Sequence, residues 1–256
     1  MFFYPAFDEN NCKTLCEMGG LNADMLMNIY VKRLAPGESL SLCDEKNETA
    51  VLLVEGAVTF AWNGREETGE RRDPFEKKPY ALHAPRGTAI RVTAIKESEI
   101  VIEQTDNEAD FDPVFYTPGD ILYQEFGKGQ WGGAGHRIVS TVFDYDNAPY
   151  SKLVLGEVFT QPGKWSSYPP HHHPQPEVYY YRFDKPQGFG ACYLGDSVFK
   201  STDGSYACIV PGDSHQQAAA PGYEMYYVWM IRHLDDDPWY KTTRIVDEEH
   251  KWLVNG

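Results

Sequence analysis

Three histidines and one glutamate have the residue types and spacing to hold a metal ion. They lie in the stretch YPPHHHPQPEVYYYRF and, further along, in IVPGDSH. A strand sends alternate side chains to opposite faces, so His171 and His173 share one face and His172 takes the other. Glu177 opens the next strand-like run, EVYYYRF, and shares its face with Tyr179, Tyr181 and Phe183. His215 follows a turn and leads into another strand. Imidazole suits zinc, copper, iron and nickel, and a carboxylate broadens the choice to manganese. Three neutral imidazoles and one carboxylate around a divalent ion leave about one net positive charge. That is an electrophile with room for water or a substrate oxygen. Three histidines in a row read by themselves as a solvated tract. Glu177 and His215 in register turn that tract into a ligand set.

Other groups could move a proton or hold a substrate. Glu157, in LVLGEVF, is a carboxylate among apolar residues, a place where such a group is either paired or at an edge. Tyr179, Tyr227 and His136 join it as candidates for proton transfer, with Tyr181 and Tyr226 read as barrel lining. Lys164, in the turn before the histidines, and Arg182 are the cations considered for an anionic substrate. Arg182 alternates away from Glu177's face, which favours an ion pair. His233, His250 and the Asp235–Asp237 run read as structural or solvated.

The elements that must carry these residues are strands. Short β-rich runs divided by Gly, Pro, Asn and Asp recur along the chain, as in sandwiches and barrels. MNIYVKRL, AVLLVEGAVTFAWNG, AIRVTAI and SEIVIEQ form the first set. HRIVSTVF, SKLVLGEVFTQ, EVYYYRF, YACIV and YEMYYVWMIR form the second, with a short helix or arm expected over 239–253. Each half shows a Pro-Gly turn (LAPGESL; FTQPGKW), a strand pair and a second proline-and-glycine turn (HAPRGTAI; IVPGDSHQ). Two related all-β domains are therefore expected, residues 1–112 and 113–256, joined near 106–118.

The 256 residues suffice for two such domains. With 23 Lys and Arg against 38 Asp and Glu the formal charge is −15, which argues against nucleic acid and anionic lipid as partners. No apolar run reaches the roughly 20 residues of a membrane span, and the first residues lack the regions of a signal peptide. The five cysteines are scattered without a CxxC pair. A cytoplasmic protein with reduced thiols is the expectation.

The motif His-x-His, three residues, Glu, and later Pro-Gly-x-x-His resembles the two metal motifs of the cupin superfamily, a double-sheet jelly roll. Two details depart from that pattern: Pro211 is directly adjacent to Gly212, and the glycine expected soon after Glu177 is displaced to Gly188. KWSSYPPH, EVYYYRFDKPQGFG, HQQAAAPGYEMYY and RLAPGESL resemble, more closely, the 5-deoxy-glucuronate isomerase family of bacterial inositol breakdown. That resemblance implies a bicupin of two jelly-roll barrels whose second half carries the metal. The first half fits, because HAPRGTAIRV lacks a following histidine and His83 alone cannot build a site. Where the family carries a segment like GKGNNRRQVH, this chain reads GKGQWGGAGH, with Gly132 and Gly133 in place of paired arginines.

The resemblance implies an aldose–ketose isomerisation between 5-deoxy-glucuronate and 5-dehydro-2-deoxy-gluconate. Zinc is the first choice because no redox change is needed, with manganese and iron as alternatives. A small sugar acid is the expected partner, and association of identical subunits fits the class. The rival readings are a keto-uronate isomerase, an iron cupin dioxygenase and a sugar-acid-binding cupin without turnover.

Overall fold

A computed structural model describes residues 1–254 of the chain. The protein is all-β, with antiparallel pairings and only short 3-10 turns for helix among the described residues. It divides into two compact units. One holds Ala6–Ile121 and Asn147–Leu153. The other holds Met1–Pro5, Leu122–Asp146 and the described residues from Val154 onward. The division thus falls at Ile121/Leu122 rather than at 112/113. The reason is the strand Val114–Tyr116, which pairs with Tyr80–Ala84 and so completes the first unit where a linker was expected. The chain start belongs to the second unit, because Phe2–Phe3 pairs with Tyr206–Ile209 and Phe2 stacks near Tyr181 and Phe199.

In the first unit the long strand Asn47–Trp62 ties two layers together. Its first part lies between Tyr80–Ala84 and Ser98–Asp106, and its second part pairs with Arg65–Arg71 and Ile90–Ala94. A register shift between Leu53 and Glu55 marks the crossing, as strands that switch sheets require. Leu53, Phe60, Trp62, Leu82, Ile90 and Ile100 fill the interior. Arg65–Arg71 escaped the sequence reading because REETGER has no apolar alternation; it is mostly exposed.

The second unit is two sheets. The larger runs in the order Phe2–Phe3, Tyr206–Ile209, Glu177–Phe183, Met225–Arg232, Leu153–Thr160, Arg137–Phe143, Leu122–Phe126. The smaller runs Ser197–Thr202, Phe189–Leu194, His215–Ala219, Trp165–His172, Ile245–Val246. Alternate residues of the larger sheet face inward, among them Val154, Val158, Tyr179, Tyr181, Tyr227 and Trp229. Gly37 and Gly163, in the corresponding Pro-Gly turns of the two units, both take positive φ (83° and 72°), a conformation in which a side chain is strained. Residues 239–253 form an arm with the short strand Ile245–Val246 and a 3-10 turn over Glu248–Leu253.

Candidate metal centre

The site begins with an irregular strand. Trp165 and Ser166 pair with Ala218 and Gln217, and the next matched pair is His171 with His215. Five residues on one strand (166 to 171) therefore span the interval of two on its partner (217 to 215). Such bulges re-aim side chains beside functional sites. Here the bulge, with Ser167 at a φ of 49°, turns the Ser166 and Ser167 hydroxyls inward and sets His171 across from His215.

His171, His173 and His215 are buried, and their ligand atoms all lie within 4.8 Å of one another. Glu177, from the larger sheet, places Oε2 3.2 Å from Nε2 of both His173 and His215. Each ring turns its other nitrogen to a backbone carbonyl: His171 Nδ1 to Pro169 (2.9 Å), His173 Nδ1 to Gln175 (3.0 Å) and His215 Nδ1 to Asp213 (3.1 Å). A carbonyl only accepts, so Nδ1 carries the hydrogen and Nε2 presents a lone pair. Three lone pairs and a carboxylate oxygen facing one another repel unless a cation lies between them. Carbonyl-anchored imidazoles of this kind are what metal sites use to fix tautomer and orientation. Around an ion with bonds of about 2.1 Å, tetrahedral ligand atoms lie roughly 3.4 Å apart, close to the spacing at Glu177. The donor set fits a divalent ion.

The electrostatics agree. Burial, reinforced by the charges of His215 and Arg244, holds His171 well below its ordinary value and keeps the ring neutral. Burial pushes the Glu177 carboxyl upward, and positive charge on the side of His173 and His215 would outweigh that and hold it well below the usual carboxylate range. With Nε2 lone pairs facing it, a cation between them would supply that charge.

Two tyrosines complete the wall. Ser167 Oγ lies 3.0 Å from the Tyr179 hydroxyl and 3.1 Å from that of Tyr227, and Tyr227 donates to Ser166 Oγ at 3.1 Å. Burial raises both phenols above their ordinary value, aided at Tyr179 by the Glu177 charge, so both stay protonated donors. Tyr181 instead donates to Gln217 Oε1 at 2.7 Å. Trp239, with its ring 6.4 Å from that of His173, closes one side.

The structure thus gathers His171, His173, Glu177, His215, Tyr179 and Tyr227. It places the other candidates elsewhere. Glu157 alternates with inward Val154 and Val158, lies on the reverse face of its sheet and accepts a 2.7 Å hydrogen bond from Tyr226; a role as inward proton shuttle is corrected. Arg182 pairs with Asp203 at 3.0 Å on the outward side, which corrects its candidacy for substrate. His136 Nε2 is 2.6 Å from Glu125 Oε1 on the adjoining strand rather than among the ligands. Lys164 Nζ reaches the GKGQWGGAGH segment, 3.9 Å from where a Cβ on Gly133 would lie. His172 turns away and meets Asp247 Oδ1 at 2.8 Å, anchoring the arm. In the first unit, His83 Nε2 is buried 2.7 Å from Glu48 Oε2.

Sequence reasoning missed Ser166, Ser167, Arg137, Arg244 and Trp131. Arg137 is almost completely buried and Trp131 packs against Gly135, where a Cβ would come within 2.4 Å of the indole. The glycine-rich run around Trp131 was the one available signal of such close packing.

Known proteins share this architecture. The chain matches the KduI/IolB family over residues 2–253. It is 26% identical over 250 residues to the 5-deoxy-glucuronate isomerase of Geobacillus kaustophilus, covering 86% of this chain and 87% of that protein. It is 27% identical over 260 residues to the enzyme so named from Bacillus licheniformis, covering 94% and 93%. Among solved structures, an IolB-like protein of Salmonella typhimurium superposes with a TM-score of 0.81 at 24% identity over 89% of this chain and 90% of that one. Oxalate decarboxylase of Lactobacillus farciminis superposes with a TM-score of 0.68 at 13% identity, covering 96% and 85%, a likeness of fold. The match along nearly the whole chain and the all-β architecture carry one conclusion: this chain is a member of the KduI/IolB family, an isomerase with a bicupin fold.

Proposed function

We propose that the chain is a metal-dependent aldose–ketose isomerase that interconverts 5-deoxy-glucuronate and 5-dehydro-2-deoxy-gluconate in inositol breakdown, with zinc at the centre. The observation that carries this reading is the convergence of His171, His173, Glu177 and His215 beside the Tyr179–Ser167–Tyr227 hydroxyls. The names of the relatives support the substrate. No helix among the described residues is long and apolar enough to cross a membrane, and we place the activity in the cytoplasm.

The reaction moves a carbonyl from C1 to C2 within one molecule, so no external oxidant or reductant is needed. A divalent ion held by the four ligands would supply Lewis acidity to the carbonyl and neighbouring hydroxyl oxygens. Tyr179 and Tyr227, kept protonated by burial, donate hydrogen bonds to the oxygen that gains negative charge. The hydrogen on C2 passes to C1 with its electron pair, breaking the C2–H bond and forming the new C1–H bond, while the run Tyr179–Ser167–Tyr227–Ser166 carries the C2 hydroxyl proton to the C1 oxygen. The buried walls hold bulk water away from that transfer.

Metal analysis of the purified protein, joined to an NMR assay with 5-deoxy-glucuronate, tests the reading. One equivalent of a divalent ion and conversion to the ketose are expected. Conversion of a pectin-derived keto-uronate alone would move the substrate within the class. Stoichiometric metal with no conversion of either acid would overturn the isomerase reading.

A further inference from the structure

A buried positive charge needs a negative partner or pays a heavy desolvation cost. Arg137 is only 6% exposed, yet no carboxylate pairs with it among the described residues. Its guanidinium reaches two carbonyls, Nη1 to Gly135 at 2.9 Å and Nη2 to Tyr168 at 3.3 Å, and its Cζ lies 5.5 Å from the Phe126 ring centre. Carbonyls satisfy some of its donors and none of its charge. A second cation lies beside the histidines: the Cζ of Arg244 is 5.9 Å from the centre of the Trp239 ring, whose centre is 6.4 Å from that of His173, and its positive charge acts on Arg137. These two arginines, in a chain of charge −15, leave room for an anion from outside.

The surroundings are shaped to admit one. Arg137 lines a cavity of about 710 Å³ with Trp131, Tyr168, Pro169 and Trp252, a size that suits a small molecule. Trp131 is held by its 3.3 Å hydrogen bond to the Leu253 carbonyl and by an edge-on contact with Tyr168 at 4.9 Å between ring centres. The cavity is continuous in chain with the metal strand: Tyr168 precedes His171 by three residues, and His171 hydrogen-bonds the Pro169 carbonyl. Arg244 immediately precedes Ile245–Val246, which pairs beside His171 and His172.

We propose that Arg137 and Arg244 bind the carboxylate of the sugar acid at the mouth of the second barrel, orienting its far end toward the histidines. Arginine's planar fork matches a carboxylate through two hydrogen bonds. The assignment rests on the isomerase reading for its ligand class, and it makes the arginines the residues that select an acid over a neutral sugar.

The test compares D-glucuronate with its uncharged amide, by titration calorimetry on the full chain, metal-loaded and metal-free. The metal-free arm isolates the arginines, because an ion would itself attract a carboxylate. The wild type is expected to bind the acid at least tenfold more tightly than the amide in both forms. Arg137→Gln and Arg244→Gln should each weaken acid binding by about 10- to 100-fold, the loss of a charge-assisted hydrogen-bonded pair. Metal content and amide binding should not change. Arg137→Lys, which keeps the charge and loses the fork, should fall between. Because Arg244 is exposed, its variant decides the matter if Arg137→Gln does not fold. Equal binding of acid and amide by the metal-free wild type, or an unchanged ratio in Arg244→Gln and Arg137→Lys, would overturn the proposal. Turnover with an unaltered KM in the variants would sink the arginine assignment and leave the isomerase reading standing. Acid-selective binding without turnover would do the reverse.

Discussion

His171 and His215 stand directly opposite each other on neighbouring antiparallel strands, with ring centroids 4.4 Å apart. Opposed residues send their side chains to the same face, so two of the four candidate ligands are delivered by strand pairing alone. The bulge before His171 sets that register, and Glu177 from the other sheet closes the set. The candidate ligands are therefore held by backbone pairing in two layers, a rigid way to present donors.

His171→Ala and His215→Ala should each lose most of the bound metal and all measurable turnover, while circular dichroism keeps its β signature. Elemental analysis checks this. His172→Ala should keep the metal, because its partner is Asp247 on the arm.

Tyr179→Phe and Tyr227→Phe should lower kcat by about 10²- to 10⁴-fold with metal content unchanged, the range for a positioned proton-transfer group. Both hydroxyls share Ser167, so the double variant should fall short of the product of the single losses. Additive losses would show that the two act separately. Tyr181→Phe should be milder, since its partner is Gln217.

Gly135→Ala should displace Trp131, because a Cβ there would meet the indole at 2.4 Å. Overpacking of this kind costs about 1–3 kcal/mol. A shift in tryptophan emission with a lowered melting temperature would report it; an unchanged spectrum and stability would count against the packing described.

Glu103 predicts an unusual pH dependence in the first unit. Both carboxyl oxygens are buried without a hydrogen-bond partner, and burial, then the Glu48 charge, raises the group well above its ordinary value. The folded state thus holds a proton that the unfolded chain releases above about pH 4.3. Stability from this group is fully present below that pH. It declines by about 1.4 kcal/mol per unit as pH rises toward the folded value. Glu103→Gln should remove this slope, raising the melting temperature more at pH 8 than at pH 5. An equal effect at both would mean the carboxyl is ionised in the folded protein.

What the sequence could show follows from where alternation carries information. His171 and His173 were legible because a two-residue period beside Glu177 needs no knowledge of the partner strand. The strands Glu177–Phe183 and Met225–Arg232 were legible from their β-rich runs, and the all-β bicupin reading agrees with the structure and its relatives. Glu157 was not legible. Leu153–Thr160 is buried at every position, so alternation does not say which face is the barrel interior. Arg137 was hidden for another reason: it reads as an ordinary strand residue until the loop over Gly127–Gly135 and the arm close around it. The Ser166 and Ser167 hydroxyls depend on a bulge that only the pairing with His215–Ala219 reveals.

X-ray absorption at the edge of the bound metal tests the central claim most directly. The account predicts three imidazole nitrogens and a carboxylate oxygen at about 2.0–2.2 Å for zinc, and loss of one imidazole shell in a surviving metal-bound fraction of His215→Ala. A sulfur shell, or fewer than three imidazoles in the wild type, would contradict it.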